Sequence, residues 1–453
     1  MAVNQTSVHF KYVDLFAGIG GFAAAMEALG GEAEYSVDID PKAAAVYETN
    51  WGHSSLGDIT RDANDSIMNI QGHDVLLAGF PCQPFSKSGA QRGMDETRGT
   101  LYWNILNIIK KHHPTIVLLE NVRNLTGPRH KHEWQVIIET LRDEGYSVSF
   151  EPSIISPHQI PLSMGGRPQV RERVFIAGVY TGKPVSHDLR IEPLVSRADL
   201  QKLNENFEWN LERDLPLDPT PPKSSLLSQV EKDWLTAWDV WVKEFRRINN
   251  IQPPGFPIWV DAWIDESKLR IPRGTPDWKA NFLRKNAALY TANKTWIELW
   301  LKEFGVRDFP DSRRKLEWQA QDEKSLASCL IQLRPSGIRA KKQTYVPALV
   351  AINQTSIIGN RKNIRNSRKL TVKEAARLQG LPDWFDFGNQ PEAASYKQLG
   401  NAVNVGAVWN ALKFLAKRDR EHLLSSAKGK KLLAIIENAP SNPDDILKSL
   451  VRG

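Results

Sequence analysis

Two nearly unbroken apolar runs, HDVLLAGF at 73–80 and PTIVLLENV at 114–122, constrain this chain more than any other feature. A strand that is apolar on both faces must be covered on both faces, as a strand inside a layered α/β sheet is. The segments around these runs alternate. KYVDLF reads as a strand and GFAAAMEALG as a helix; EAEYSVDID is the next strand, and PKAAAVYETN a helix opened by Pro41. GYSVSFEPSII and RERVFIAGVY are later strands. The pattern predicts an α/β fold with a doubly wound, Rossmann-like sheet.

The texture changes near residue 183. Alternation stops, prolines cluster in PLDPTPPK and QPPGFP, and ten of the fifteen tryptophans fall between Trp209 and Trp318. Two amphipathic helices are predicted there, one carrying Val230, Trp234, Trp238 and Val242, the other Trp296 and Trp300. Aromatics at i, i+4 spacing on helices belong to a core more often than to a ligand site. The division expected is a catalytic and cofactor domain over 1–182 completed by 395–417, a second smaller domain with a hinge over 183–394, and a charged helical tail over 418–453.

At 453 residues, two domains suit the chain better than one core. Lys and Arg outnumber Asp and Glu by 59 to 52, and this excess favours a polyanionic partner. Cys82 and Cys329 alone cannot build a disulfide framework, which suits a reducing compartment. No apolar run reaches spanning length, and MAVNQTSVHFKYV lacks a signal-peptide core. A cytoplasmic protein with no membrane association, no metal and a monomeric state is expected.

DLFAGIGGF sets Gly18, Gly20 and Gly21 between a strand and a helix, where a backbone can turn tightly and a ligand can approach a helix N-terminus. Asp38 follows at the end of the second strand, placed to accept from ribose hydroxyls. An adenosine-containing cofactor follows from this, with NAD and S-adenosyl-methionine not yet separated. GFPCQPFS places Cys82 between Pro81 and Pro84 after an apolar strand, in an irregular loop rather than a core strand. Glu120 ends the next strand. QVRER puts Gln169, Arg171 and Arg173 at alternate positions, on one face if the segment is a single strand. A thiol, a carboxylic acid and a guanidinium beside an adenosine site suit one reaction. A thiolate added to C6 of cytosine turns C5 into a nucleophile, while an acid at N3 and a cation at O2 stabilise the charge that develops.

In order along the chain, DLFAGIGGF, VDID, GDIT, GFPCQPFS, RGTLYWNI, ENV, PQVRERVF, LTVKEAARLQGLP and QLGNAV resemble the motifs of the cytosine-5 DNA methyltransferase family, of the bacterial restriction-modification type. The resemblance covers about 10–180 and 334–410. It implies that Cys82 is the nucleophile, Glu120 the acid at N3 and the amine, and Arg171 the residue at O2. Arg173 would support that arginine, and Gln169 would hold strand and loop beside the DNA. For S-adenosyl-methionine it implies Phe16 against the adenine, Gly18 and Gly20 beside the amino-acid part, Asp38 at the ribose, Ile39 packed on the adenine and Asp58 at its amino group. Ile59 and Pro81 join this set, and Asn401 would complete the pocket. Ser86 and KSGAQRGMDETRG would form a loop closing over flipped DNA. Departures from the family pattern are SMGGRPQVRER before the arginines, GNAV in place of GNSV, and Lys373 where arginine is frequent. They touch loop geometry and no catalytic group.

The second domain occupies the family's target-recognition position, with double-stranded DNA as partner. Arg313, Arg314, Arg334, Arg339 and Lys341 are the expected phosphate contacts. A cognate restriction endonuclease acting on the same site is expected by analogy alone. The competing readings are a transfer-RNA cytosine-5 methyltransferase, a non-catalytic DNA-binding relative and, more remotely, an NAD dehydrogenase.

Overall fold

The computed structural model describes residues 10–81, 100–205, 207–349 and 355–450. By its contacts the chain forms two compact units. One comprises 1–209, 347–352 and 375–453, the other 210–346 and 353–374. These limits differ from those expected at 182/183 and 394/395, and the tail beyond 418 is part of the first unit. The reason is local bonding. Ser149 Oγ donates to the Ile191 carbonyl at 2.8 Å, Leu194 N to Ser153 Oγ at 2.8 Å, and the Trp209 indole to the His158 carbonyl at 2.8 Å. In the tail, the helix Ala427–Asn438 and the residue after it receive Lys413 Nζ at the carbonyls of Ile436 and Ala439, 3.1 and 2.9 Å away.

The first unit is built on a six-stranded sheet. Its strands are β1 (Phe10–Leu15), β2 (Gly31–Val37), β3 (Val75–Ala78), β4 (Ile116–Val122) and β5 (Ser153–Ile155), then β7 (Arg173–Val179) beyond the short β6 (Gln169–Val170), which lies outside this sheet. The order is β2-β1-β3-β4-β7-β5. Neighbours from β2 to β4 are parallel, while β7 runs antiparallel to both β4 and β5. The carboxyl ends of β1 to β4 therefore share one edge, and the antiparallel β7 brings its first residue, Arg173, to the same edge opposite Val122. Ligands in open α/β sheets bind at such an edge.

Helices cover the sheet: α1 (Gly21–Ala28), α2 (Pro41–Trp51), α3 (Ile59–Asp62), α4 (Leu101–His112) and α5 (Lys131–Asp143). Asp40 caps α2, accepting from Lys42 N at 2.9 Å with Pro41 in the first turn. Thr100 caps α4. Leu76, Val117 and Leu119 from the strands form one core with Ile105, Ile109, Ile137 and Leu141 from α4 and α5. Burying each such side chain stabilises the unit by about 1.5–3 kcal/mol. The near-continuous apolar strands are thus paid back in packing on both faces.

In the second unit the sheet order is Arg368–Lys369, Ile357–Ile358, β10 (Cys329–Arg334), β11 (Gly337–Lys342), β9 (Lys315–Gln319), β8 (Ile258–Trp259). Two long helices pack on it, α6 (Gln229–Asn249) and α7 (Asp277–Phe304). Ser228 and Glu231 form a capping box at the start of α6. Trp238 and Trp300 are core, as the helical spacing predicts, and Trp241, Trp263 and Trp318 join them there. Val230 is 55 % exposed, so the apolar stripe of α6 begins at Leu235 rather than at Val230.

Candidate active site

The strand-to-helix turn after β1 uses left-handed backbone at Phe16, Gly18 and Gly20, with φ of 59°, 57° and 91°. The glycines serve different ends. A Cβ on Gly20 would lie 1.9 Å from Trp51 Nε1, and one on Gly21 2.3 Å from the Val403 carbonyl oxygen. The Trp51 indole fills the space beside Gly20 and donates to the Ile19 carbonyl at 3.0 Å. Packing against Trp51 therefore leaves no room for a side chain at Gly20. A Cβ on Gly18 would meet nothing within 4 Å.

Asp38 braces this turn. One carboxylate oxygen accepts from Gly18 N at 2.8 Å and the other from Asp40 N at 2.8 Å. Burial raises its pKa, and the two backbone N–H groups pull against that. Ile39, next in the chain, is 73 % exposed, the highest value among the exposed large aliphatic side chains. Asp38 also exchanges backbone bonds with Ser55 and Gly57, which leads the chain to Asp58. Asp58 caps α3 through Thr60 N at 3.0 Å and Thr60 Oγ1 at 2.7 Å, and these bonds hold its carboxyl below the usual range. The Ile59 side chain is buried in the core. Phe16 is half-buried, and Pro81 and Asn401 are exposed.

At the same sheet edge, Glu120 is 7 % exposed and its Oε1 lies 3.0 Å from Arg173 Nε. Burial raises the Glu120 pKa, against the lowering pull of Arg173 and Arg171. Arg171 is bonded elsewhere. Its Nη2 donates to the carbonyls of Gly400 at 2.9 Å and Ala402 at 2.7 Å, and its Nη1 to that of Leu349 at 3.3 Å. The side chain is 2 % exposed, and burial pushes its pKa down to about 9. Arg173, expected to support Arg171, is thus the arginine in contact with Glu120, while Arg171 is held by backbone carbonyls. The cause is backbone. β6 stops at Val170 and β7 starts at Arg173, so QVRER is not one strand, and its arginines part company. Gln169 is fully buried, with neither end of its carboxamide hydrogen-bonded.

Cys82 and Ser86 lie outside the described residues. Asn121, in ENV, donates to the Phe80 carbonyl at 2.8 Å and anchors the chain immediately before Pro81. The family motif containing it was the available signal.

The five expected phosphate contacts are mostly engaged within the second unit. Arg334 and Arg339 both pair with Glu317, at 2.5 and 3.0 Å. Arg314 pairs with Asp261 at 2.9 Å and with Asp311. Arg313 stacks over Trp234 at 5.3 Å and donates to the Arg334 carbonyl at 2.9 Å. Lys341 is half-buried, its pKa lowered by burial and by Arg339 and Arg334.

Residues 10–417 match the C-5 cytosine-specific DNA methylase family. The chain belongs to that family. It is accordingly a DNA (cytosine-5) methyltransferase with a Rossmann-like methyltransferase sheet. The Type II methyltransferase M.AluI of Cellulosimicrobium cellulans is 43% identical over 97% of this chain and 98% of its own length. The Type II methyltransferase M.HpaII of Haemophilus parainfluenzae is 39% identical over 88% of this chain and 87% of its own. Among the described residues, no helix is long and apolar enough to cross a membrane.

Proposed function

We propose that the enzyme transfers a methyl group from S-adenosyl-methionine to C5 of a cytosine within a specific duplex sequence, through an everted base and a covalent bond between Cys82 and C6. The observation that carries this is the buried Glu120–Arg173 pair on the sheet edge that also holds the Gly18–Asp38 turn. The cofactor fits the residues present. Gly18 leaves open space, Asp38 is a half-buried carboxylate at the end of β2, and Ile39 offers a bare apolar surface suited to a ring. When bound, S-adenosyl-methionine supplies an electrophilic methyl group.

The chain's own groups do the rest. The Cys82 thiolate adds to C6, and the displaced electron pair makes C5 nucleophilic as N3 takes a proton from the Glu120 carboxyl. Burial favours the protonated form that this step needs. Arg173 orients the acid and neutralises charge building on the ring, the role first assigned to Arg171. Once C5 carries the methyl group, a water molecule takes its proton, the C–H electron pair restores the C5–C6 double bond and expels the thiolate, and the N3 proton returns to Glu120. Extruding the base costs a few kcal/mol of stacking.

The second unit is proposed to recognise the target sequence. Both relatives above are named Type II methyltransferases, and the same role fits here: protective modification in a restriction-modification system with a partner nuclease, in the cytoplasm and as a monomer. Labelled methyl transfer to duplex DNA, with none to transfer RNA, and trapping on 5-fluorocytosine duplex that Cys82→Ser abolishes are expected. Full activity of the serine variant would remove the covalent step; transfer to RNA alone would remove the DNA substrate.

A further inference from the structure

The cations of the second unit are unevenly compensated. Those of β9 to β11 are drawn into carboxylate pairs, with Glu317 serving both Arg334 and Arg339 and Asp322 serving Lys342. The stretch 268–285 is the reverse. It carries Lys268, Arg270, Arg273, Lys279, Arg284 and Lys285 against a single acid, Asp277, a net charge of +5 beside the +7 of the whole chain. All six cations are exposed. Arg270 donates to the carbonyls of Ser267 and Leu269, and among the described residues none of the six reaches a carboxylate.

Within this stretch, Trp278 in the first turn of α7 is 72 % exposed. Ala280, Asn286, Ala287 and Tyr290 are the buried face of that helix. Trp278, Asn281 and Lys285 stand at i, i+3 and i+7 on the opposite face. Phe282, one turn beyond Trp278, lies 6.5 Å from Phe256 and 6.3 Å from Trp259, centre to centre. Lys285 stands 5.8 Å over Phe256, and Lys315 4.9 Å over Trp259 and 5.7 Å over Phe282. The result is an aromatic floor rimmed by amines. Six like charges with one counter-charge repel one another, and leaving an indole in water forgoes about 2 kcal/mol of burial. A polyanion with flat apolar sugar and base surfaces answers both.

We infer that the 268–285 surface, with Lys315 at its rim, binds the sugar-phosphate backbone of duplex DNA, and that Trp278 packs against a sugar or base edge there. This rests on the proposed DNA substrate and assigns the phosphate contacts to a different surface from the β10–β11 hairpin. Each phosphate neutralised releases counterions, so binding weakens with salt in proportion to the number of contacts.

The test uses the full chain and a short duplex containing the site it methylates, with dissociation constants measured across a salt series. Replacing Arg273, Lys279 and Lys285 together by alanine is expected to lower the log–log salt slope by about 2–3 and to weaken binding about 10-fold or more at moderate salt. The methylated site and the cofactor affinity stay unchanged. Trp278→Ala weakens binding without moving the slope, and Arg339→Ala moves it far less than the triple change. If the triple variant loses cofactor affinity, the single changes K279A and K285A decide, each expected to lower the slope by about 0.9. An unaltered slope and affinity overturn the inference, and so does a shift in the methylated site, which would make the patch a base reader. Failure of the unsubstituted chain to methylate any duplex overturns the substrate instead.

Discussion

Glu120 and Arg173 meet at 3.0 Å across the antiparallel pair β4–β7, although 53 residues separate them in the chain. Arg171, two positions earlier, turns instead to the carbonyls of Gly400 and Ala402. The two arginines are therefore expected to fail differently. Arg173→Ala lowers turnover about 10²-fold or more, as removal of a group that stabilises developing charge does, and because the buried Glu120 can then take up a proton its stability cost is the smaller of the two. Arg171→Ala strips donors from buried carbonyls and costs about 2–4 kcal/mol of stability. Urea unfolding measured beside single-turnover methylation separates them; equal stability losses would contradict the assignment.

Asp14 gives a pH signature. It is fully buried in β1, and burial raises its pKa well above the ordinary value, with Asp38 adding to the rise and the backbone N–H of Ala23 opposing it. Below its unfolded pKa, about 3.9, the acid is protonated in both states. Above it the folded protein alone keeps the proton, so stability falls as pH rises toward the folded value. Asp14→Asn removes that slope. The variant is expected to gain on the parent in urea midpoint as pH rises above about 4, and parallel curves would refute this.

The glycines of the turn provide a matched pair. Gly20→Ala drives a methyl into the Trp51 indole at a left-handed position, and a loss of at least about 3 kcal/mol in stability is expected. Gly18→Ala meets open space and costs about 1–2 kcal/mol from backbone strain alone. Its larger effect falls on S-adenosyl-methionine affinity, measured by titration calorimetry. Equal melting losses from the two changes would place both glycines in packing.

The tail gives a fourth test. Arg167, two residues before Gln169, donates from Nη2 to both oxygens of Asp444 at 2.6 and 2.7 Å and from Nε to the Arg377 carbonyl at 2.9 Å. Pro443 packs so close to Gly165 that a Cβ there would sit 2.7 Å away. Residues beyond the family match at 417 thus clamp the loop leading to the arginines. Asp444→Ala leaves a nearly buried guanidinium unpaired and is expected to cost about 3 kcal/mol. Turnover falls with it, and Asp444→Glu restores part of both. A stable, fully active alanine variant would show the clamp to be idle.

Much of this was written in local pattern. The two-sided apolar runs announced β3 and β4, Pro41 announced α2, and the helical spacing of tryptophans announced a core in the second unit. What escaped depended on pairings distant in sequence. Whether Arg171 or Arg173 meets Glu120 turns on where β6 ends and β7 begins, and alternation within QVRER suggests a continuous strand. The packing demand on Gly20 was hidden because the residue beside it, Trp51, lies at the far end of α2. The basic character of RPSGIRAKK was plain, but Glu317, which quenches it, sits on a neighbouring strand.

The close approach of Gly21 to the Val403 carbonyl carries a lesson about synthesis. At roughly 5–20 residues per second, some 20–80 seconds separate the emergence of these two residues from the ribosome. During that interval the first helix has been made but lacks the segment it packs against. A nascent chain of this enzyme is expected to hold its opening βαβ segment incompletely packed until translation is almost finished, a vulnerable period for chaperones to cover and for early truncations to expose.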